Sequence, residues 1–222
     1  GGPGVGPICV AKHLVDFLPS HAVVKTGGEQ GIHAVSAAPY GSVSMLPVTY
    51  GYLLMLGAEG LKYVTEMAIL NANYLASSFE KLGFKILFKG KQGRVGHEMI
   101  WDCSAFNKEY GISELDIAKR LMDFGFHAPT LSFPVHGTLM VEPTESEPKE
   151  ELDRFIEALK TIREEMCEVA EGKADKTDNV LKNAPHTHKV LTADEWTHTY
   201  PRSKAAYPLP WVAENKFWPQ VG

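Results

Sequence analysis

The sequence predicts an α+β domain between residues 58 and 172, flanked by two segments of different composition. From residue 58 to 171 the predicted elements follow the order helix, strand, strand, helix, strand, helix, which suits three strands covered by helices. The chain has 222 residues, 44% hydrophobic and 22% charged, so it can bury a substantial core. Glycine and small residues are frequent before the domain, and proline and aromatic residues after it. We therefore expect three parts: residues 1–57, 58–172 and 173–222.

The first two helices are predicted from apolar spacing and from their ends. Between residues 58 and 82 the apolar positions lie three or four apart, or at multiples of that spacing, which indicates an amphipathic helix. Gly83 stands where a left-handed residue would end this helix. A second helix is predicted from Ser113 to Phe124, because Ser113 and Asp116 have the spacing of a capping box.

A third helix has its apolar face between residues 152 and 169. We expect Thr144 or Ser146 to cap its start and Gly172 to end it. The proline density of residues 173–222 forbids long helices there, while the aromatic residues argue against disorder. We therefore expect an extended arm that packs over another surface.

Three strands are predicted between these helices, at residues 84–88, 97–103 and 138–142. Glycines mark the turn between the first two strands. Residues 125–134, between the second helix and the third strand, are predicted as a loop that carries both apolar and hydrogen-bonding groups. Loops held by a rigid scaffold often carry function.

Composition excludes several classes of protein. The net charge of −5 argues against a broad nucleic-acid surface, which needs clustered lysine and arginine. No apolar run reaches the roughly 18 residues that indicate a membrane span. The three cysteines are far apart and odd in number, which argues against a disulfide framework or a zinc knuckle and fits a reducing cytosol: Cys9, Cys103 and Cys167.

The first seven residues, GGPGVGP, are predicted to belong to a glycine-rich loop. Such a loop can cradle a phosphate or cofactor with backbone N–H groups, or can be a tight structural connection. It lacks the GxxxxGK[ST] and GxGxxG patterns, so a nucleotide site is not expected. Because the sequence opens on such a loop and not on methionine, we expect the chain to be a piece of a longer protein.

Nine histidines raise the question of a metal site. His186 and His188 form an HxH pair, but no cysteine or carboxylate stands at metal-like spacing, and no HExxH motif begins at His97. We therefore predict no metal ligands. His127 lies in the predicted loop and could relay protons or bind a carboxylate, or be satisfied by neighbouring backbone. A GxSxG elbow is absent, which argues against a serine hydrolase.

A set of long stretches, in order along the chain, resembles the C-terminal region of glycine decarboxylase, the P-protein of the glycine cleavage system. These stretches are GGPGVGPI, SAAPYGS, ILNANYLA, GRVGHE, DFGFHAPT, GTLMVEPTESE, ELDRFIEA and ENKFWP. The resemblance covers nearly the whole chain. It does not distinguish the single-chain form of P-protein from the two-subunit form.

This resemblance implies the aspartate-aminotransferase type of fold (fold type I), with a large domain for pyridoxal phosphate (PLP) and a small α+β C-terminal domain. Residues 1–57 would be the end of the large domain and residues 58–172 the small one. The family's PLP lysine lies in a His-Lys-Thr motif just before the glycine-rich loop, and this chain has no such motif. Lys25-Thr26 lies on the wrong side of the loop and lacks the preceding histidine. We therefore expect the parent enzyme to use PLP, and this chain alone to bind none and be inactive.

The implied activity is glycine decarboxylation, in which PLP accepts the electrons left when CO₂ departs. The aminomethyl group then passes to the lipoyl arm of H-protein. The expected partners are glycine, lipoyl H-protein and the missing N-terminal part or other P-protein subunit, within a homo- or hetero-oligomer such as a dimer. Neither nucleic acid nor membrane is expected as a partner. The expected location is the bacterial cytoplasm, or the mitochondrial matrix for a eukaryotic source.

Placement in the implied fold gives candidate site residues. Those for cofactor or interface contact are small and lie in the glycine-rich part: Gly1, Gly2, Gly4, Ser36, Gly41 and Ser42. Those at the substrate mouth, as catalytic candidates, are His97, His127 and Thr130. Arg94 is the candidate for contact with a substrate carboxylate or a partner.

Two alternatives remain open. One is a non-catalytic module that docks a lipoyl-bearing partner or dimerises through its aromatic arm. The other is a part of another fold-type-I PLP enzyme, such as an aminotransferase.

Overall fold

A computed structural model describes residues 4–216 of the chain, so the candidates Gly1 and Gly2 lie outside the described residues. The chain divides into two compact units, residues 1–63 and 64–222. The three-part division that the sequence predicts stays a prediction.

The first unit is built around close contact between backbones. Two short 3₁₀ helices, Lys12–Phe17 and Val43–Met45, are its only regular elements before the first α-helix within the described residues. A Cβ atom added to Gly27 or Gly31 would lie 2.1 or 2.3 Å from the carbonyl oxygen of Leu18. Only glycine allows this approach, because any side chain would overlap the facing carbonyl.

Helix α1 spans Leu46–Lys81 but is interrupted at Gly57, whose φ of 60° and ψ of −174° are not helical. The stretch after Gly57 confirms the predicted helix of residues 58–82, and Gly83, with a φ of 86°, follows its end as expected. The helical residues 46–56 are not predicted by the sequence pattern. They are apolar on nearly all sides, so no helical periodicity marks them.

No side chain between residues 4 and 70 is buried. Large apolar side chains of α1 stand in solvent instead, with Tyr50 64% and Met55 80% exposed. A helix that is apolar all round is normally covered inside a larger body of protein. The first unit therefore has no hydrophobic core of its own.

The second unit contains one antiparallel sheet in the order β1-β2-β4-β3. The strands are β1 Lys85–Leu87, β2 Met99–Asp102, β3 Thr130–Leu131 and β4 Thr138–Val141. Met99 lies opposite Val141, and Thr130 opposite Met140. The three predicted strands are confirmed, but the predicted number is wrong. Strand β3 has only two residues, too few to show an alternating pattern, and it lies within the segment predicted as loop.

Helix α2, Ser104–Tyr110, follows β2 and is not predicted, whereas α3, Glu114–Asp123, confirms the second predicted helix. Ser113 caps α3 as expected. Its backbone N–H donates to the Asp116 carboxylate at 2.9 Å, and its side-chain oxygen accepts from the Asp116 backbone N–H at 3.3 Å. The capping box therefore fixes where α3 begins.

Helix α4, Lys149–Ala170, confirms the third predicted helix, and Gly172 follows its end with a φ of 73°. The predicted cap is wrong, because Pro148 is the N-cap residue and no side chain caps this end. Thr144 instead accepts the backbone N–H of Ser146 at 3.3 Å. Its hydroxyl therefore stabilises a turn before the helix.

A cluster of aromatic side chains fills the centre of the core between the sheet and the helices. The ring of Phe79 lies 5.4 Å from that of Trp101, and Phe84 lies 4.7 Å from the same indole. Trp101 is fully buried, and within the described residues its indole N–H has no hydrogen-bond partner. Packing therefore dominates this part of the domain.

Residues 173–216 are not an extended arm, although they contain no long helix. They form three short helices, α5 His188–Leu191, α6 Arg202–Ala206 and α7 Pro210–Asn215. They fold back on the second unit itself, where Val180, Leu181 and Val212 join its main core. No helix within residues 4–216 has the length and apolar character needed to cross a membrane.

A buried ion cluster joins α3, α4 and this last segment. Arg120 is fully buried, and its guanidinium donates to both carboxylate oxygens of Glu165, at 3.0 and 2.6 Å. It also donates to Asp123 at 3.0 Å and to the carbonyl of Lys204 at 3.0 Å. The cluster satisfies each charge within the protein, as burial requires.

Asp123 extends the cluster into the last segment. Its carboxylate accepts from both the backbone N–H and the ring Nδ1 of His186 at 2.7 Å, and His186 Nε2 lies 2.8 Å from the Tyr200 hydroxyl. Burial would raise the pKa of the Asp123 carboxyl, but the His186 hydrogen bonds and the Arg120 charge outweigh it and hold the pKa below its ordinary value. Asp123 therefore remains a charged anchor for this segment.

Replacing Arg120 with methionine is expected to destabilise the chain by about 3–5 kcal/mol, because the carboxylates of Glu165 and Asp123 stay buried without a counter-charge. Urea unfolding followed by tryptophan fluorescence measures the loss. Lys85→Met is the control, since Lys85 pairs with Asp102 at the surface and exposed pairs contribute under about 1 kcal/mol. Equal losses in the two variants would contradict the role given to the cluster.

Asp178 makes part of the stability of the last segment depend on pH. Burial would raise the pKa of its carboxyl, but hydrogen bonds from Thr199, His198 and Asn183 lower the pKa to about 2 from the ordinary 3.8. A lowered pKa stabilises the fold above the ordinary value, and this contribution is lost as the pH falls through about 2. We expect Asp178→Asn to lower the melting temperature at neutral pH.

The difference from the unchanged chain should shrink as the pH falls from about 4 to about 2. Thermal melts at a series of pH values measure it. Asp194→Asn, at an exposed carboxyl of the same segment, is the control. A difference that stayed constant over this range would rule out the assigned contacts.

Candidate functional site

The register of the sheet brings two candidate histidines to one end of it. Strand β2 begins, β4 ends and β3 begins at this end, because both β2 and β3 run antiparallel to β4. His97 lies two residues before β2 and His127 three residues before β3. They therefore flank the end of β4, where Glu142 follows the strand. We call this region the sheet end.

His97 lies beside a carboxylate. Its Nε2 is 3.8 Å from a carboxylate oxygen of Glu142, and the two side chains are 61% and 53% exposed. A protonated His97 would form an ion pair with Glu142 that water screens strongly. The geometry leaves His97 open to an incoming ligand.

Thr130 and His127 are also exposed. Thr130 pairs with Met140 in the edge strand β3, so the structure places it in a strand and not in the predicted loop. Within residues 4–216, no hydrogen bond of the structure joins His97, His127 and Thr130 to one another. They share the sheet end without forming a preassembled catalytic group.

Arg94 lies on the loop that leads into β2. The backbone N–H of Gly90 donates to the Arg94 carbonyl at 2.8 Å, and Gly93 has a φ of 72° that closes the turn. Its side chain is exposed and has no ion pair within residues 4–216. The guanidinium is therefore available to an anion from solvent.

Two asparagines of α1 hold the loops of the sheet end. The Asn73 side chain donates to the carbonyl of Val95 at 2.9 Å and accepts its backbone N–H at 3.1 Å. Asn71 is buried and donates to the carbonyls of Thr144 and Glu147 at 2.9 and 3.3 Å. The first clamp fixes the loop of Arg94 and His97, and the second fixes the segment after β4.

The cofactor candidates of the first unit lie in open backbone. Ser36 donates its hydroxyl to the Ala38 carbonyl at 2.6 Å, so its side chain serves a local turn. Gly41 has a φ of 69°, and space around it and around Gly4 is empty within 4 Å of an added Cβ. Ser42 precedes the short 3₁₀ helix at residue 43 and its side chain caps nothing. These positions leave room for a ligand or another chain.

The described residues of the first unit do not fit PLP by themselves. A cavity of about 540 Å³ there has mostly apolar walls, and of the residues that line it only Thr26 and Tyr40 have polar side chains. Thr26 already donates to the Pro19 carbonyl at 2.8 Å. Lys25 lies in a separate open depression formed by residues 20–28, which holds no carboxylate. Neither of these two cavities brings together an amine, a phosphate-binding cation and a carboxylate for the pyridine nitrogen.

His186 of the HxH pair is a structural residue. Both of its ring nitrogens are engaged, by Asp123 and by the Tyr200 hydroxyl. Residues 4–216 contain no group of three or more histidine, cysteine, aspartate or glutamate side chains arranged to hold a metal ion.

Sequence reasoning missed the residues that support the sheet end. Asn71 and Asn73 stand in the middle of a helix, where asparagine is not favoured. This local mismatch is the signal that could have singled them out, since a polar residue with poor helix propensity often serves a tertiary contact.

The fold and the sheet end define the class of protein first: an α+β domain whose exposed loops meet at one end of an antiparallel sheet. A family model described as glycine dehydrogenase, C-terminal domain, matches residues 64–186, just over half of the chain. The chain belongs to the glycine dehydrogenase family.

Named relatives match the whole chain. It is 61% identical over its full length to a glycine dehydrogenase (decarboxylating) of Flavobacterium johnsoniae and 59% identical to one of Bacteroides fragilis. It is also 57% identical to a protein of Dictyostelium discoideum named glycine dehydrogenase (decarboxylating), mitochondrial. The chain spans 23% of the length of the two bacterial proteins and 22% of the third.

Asn73→Ala is expected to speed hydrogen exchange of the Val95 amide about tenfold or more, because leaving a buried amide without its partner costs about 1–3 kcal/mol. Asn73→Asp keeps an acceptor for this amide, so the exchange rate should lie between those of the alanine variant and the unchanged chain. Heteronuclear NMR measures both rates. Asn107→Ala, at an exposed site on α2, is the control. If it raised the exchange rate of the Val95 amide as much as Asn73→Ala does, the clamp would be contradicted.

Proposed function

We propose that this chain is the C-terminal part of a PLP-dependent glycine dehydrogenase (decarboxylating) of the aspartate-aminotransferase fold type. Such an enzyme removes the carboxyl group of glycine and passes the aminomethyl group to the lipoyl arm of H-protein. The observation that carries the proposal is the match of the entire chain, at 61% identity, to a protein of that name.

The contrast between the two units supports it. Residues 4–70 have no buried side chain, and the apolar part of α1 is exposed on several faces. A unit of this kind needs a larger body of protein to cover it. We propose that the remaining polypeptide of the enzyme supplies that body, and that residues 1–57 complete its PLP domain. This accounts for the misfit between PLP and the described residues of the first unit.

The site residues receive proposed roles on this basis. Arg94 binds the substrate carboxylate, because its guanidinium is exposed and can form paired hydrogen bonds with a carboxylate. His97 and His127 hold or move a proton beside the bound substrate, and Thr130 contributes a hydroxyl from the edge strand. Ser36, Gly41, Ser42 and Gly4 contact the cofactor phosphate or the neighbouring subunit, with Gly1 and Gly2 close to the lysine. The roles of this last set are proposed from placement alone.

We propose a homo- or hetero-oligomer, such as a dimer, that binds lipoyl H-protein. A bacterial enzyme of this kind would work in the cytoplasm, and a eukaryotic one in the mitochondrial matrix, as the name of the Dictyostelium relative indicates for that protein.

A second candidate function is a non-catalytic docking or dimerisation module. The exposed apolar side chains of α1 favour it, since a large exposed apolar surface often marks an interaction site. Binding of the chain alone to lipoyl H-protein separates the two proposals. A docking module would bind it, whereas a catalytic part would bind weakly without the rest of the enzyme.

The decisive experiment is a chimera in which this chain replaces the matching segment of the Flavobacterium johnsoniae protein. We expect the chimera to release CO₂ from carboxyl-labelled glycine in the presence of PLP and lipoyl H-protein. We expect this chain alone, mixed with PLP, to give no imine absorbance and no CO₂ release.

The unmodified Flavobacterium protein is the positive control. Lys25→Met in this chain is the matched control for the imine assay, because Lys25-Thr26 is the lysine-threonine pair nearest to the glycine-rich loop. A chimera that folds and binds PLP but releases no CO₂ would contradict the proposal. If the chain alone gave an imine band that disappeared in Lys25→Met, the expectation that this chain lacks the PLP lysine would be contradicted.

A further inference from the structure

The last described helix packs against the loop that carries His127. Helix α7 contains Trp211 and lies beyond residue 186, where the match to the family model ends. The ring of Trp211 lies 5.9 Å from that of Phe126 in an edge-to-face arrangement and 6.4 Å from that of Phe124. A segment outside the matched domain therefore touches the residue immediately before His127.

Phe126 is held from two sides. Its ring contacts Phe155 of α4 at 5.0 Å on one side and Trp211 on the other. The guanidinium of Arg154 lies 4.2 Å from the centre of the Trp211 ring and 5.8 Å from that of Phe126. Aromatic pairs and cation–π contacts of this kind each contribute about 0.5–1.5 kcal/mol. Together they fix the direction in which the chain leaves Phe126.

Trp211 is itself held in one orientation. Its indole N–H donates to the Glu157 carboxylate at 3.1 Å, and the neighbouring Val212 is buried in the main core. Earlier in the same segment, His186 is bound to Asp123 in the buried ion cluster. The indole is thus part of a fixed surface and not of a loose tail.

The backbone of the His127 loop has few other restraints. The N–H of Phe126 donates to the Leu121 carbonyl at 3.1 Å, and the next backbone pairing is that of Thr130 in β3. Within the described residues, no backbone hydrogen bond is formed by residues 127–129. The position of His127 therefore depends on the anchored residues on either side of it, Phe126 and Thr130. Phe126 is the nearer of the two in sequence.

We propose that Trp211 is a positioning residue that sets His127 at the sheet end by fixing Phe126. The link to catalysis rests on the proposed function, in which His127 lies beside the substrate. The mechanical part, that Trp211 controls the His127 loop, stands on the ring contacts alone.

The test uses Trp211→Leu, which keeps an apolar side chain but removes the flat ring. Val212→Ala is the matched control, because it removes buried surface from the same helix. In the 222-residue chain we expect Trp211→Leu to shift the NMR signals of the His127 ring and to speed amide exchange at His127 and Ala128. Val212→Ala should leave the ring signals and the exchange rates near their values in the unchanged chain. Trp211→Phe, which keeps an aromatic ring, should change them much less than Trp211→Leu does.

Activity is measured in the chimera with the Flavobacterium protein. We expect Trp211→Leu to lower kcat/KM for glycine about tenfold or more, as misplacement of a site group by a distant substitution does, and Val212→Ala to lower it far less. Circular dichroism and the melting temperature of each variant identify any that fail to fold, and Trp211→Met, which also lacks the ring, replaces Trp211→Leu if that variant does not fold.

The outcomes separate this inference from the proposed function. Unchanged His127 signals in Trp211→Leu, or equal changes in Val212→Ala, overturn the inference whether or not the chimera is active. An inactive parent chimera contradicts the proposed function, while the NMR comparison still decides the role of Trp211. Shifted His127 signals with unchanged kcat and KM overturn its role as a positioning residue for the substrate.

Discussion

The buried guanidinium of Arg120 is the interaction on which the rest of the second unit depends. It lies where α3, α4 and the last segment meet, and it neutralises Glu165 and Asp123 in a place that water does not reach. Taking these charges out of water costs several kcal/mol per ion, so only complete pairing makes the arrangement tolerable. The same pairing favours one packing arrangement of α3, α4 and the last segment. If one of them moved relative to the others, a charged group would be left without its partner in apolar surroundings.

Much of the second unit could be predicted because its signals are local. The capping box at Ser113 and the left-handed Gly83 lie within a few residues of the helix ends that they set. What could not be predicted depends on distant contacts. The two-residue strand β3 exists only because β4 offers it a partner, and the start of α4 is decided by Pro148 and not by the nearby hydroxyls. The residues 46–56 carry no periodicity, because they are apolar on nearly all sides of the helix.

The candidate site shows the same division. The resemblance to a family predicts that His97 and His127 lie near a substrate, and the register of the sheet puts both at one end of the sheet. The supports are less visible in sequence. Asn73 donates to the backbone carbonyl of Val95. Every residue has such a carbonyl, so the sequence does not show which one a side chain will bind. Arg120 and Glu165 occupy apolar-face positions of their helices, so opposite charges on two predicted inner faces are the pattern that could have revealed the cluster.

The absence of buried side chains in residues 4–70 and the dense core after residue 71 have a mechanistic consequence. Burial of apolar surface is the main force that holds a fold, at roughly 25 cal/mol per Å². The second unit obtains this force from its own residues, whereas the first can obtain it only by association. A substitution such as one at Met55 would therefore act on assembly and leave the stability of the second unit nearly unchanged. A substitution at Leu75 would act on that unit directly, since this side chain is only 1% exposed. Two residues of the same helix, α1, thus contribute to different free energies: Met55 to that of association and Leu75 to that of folding of the second unit.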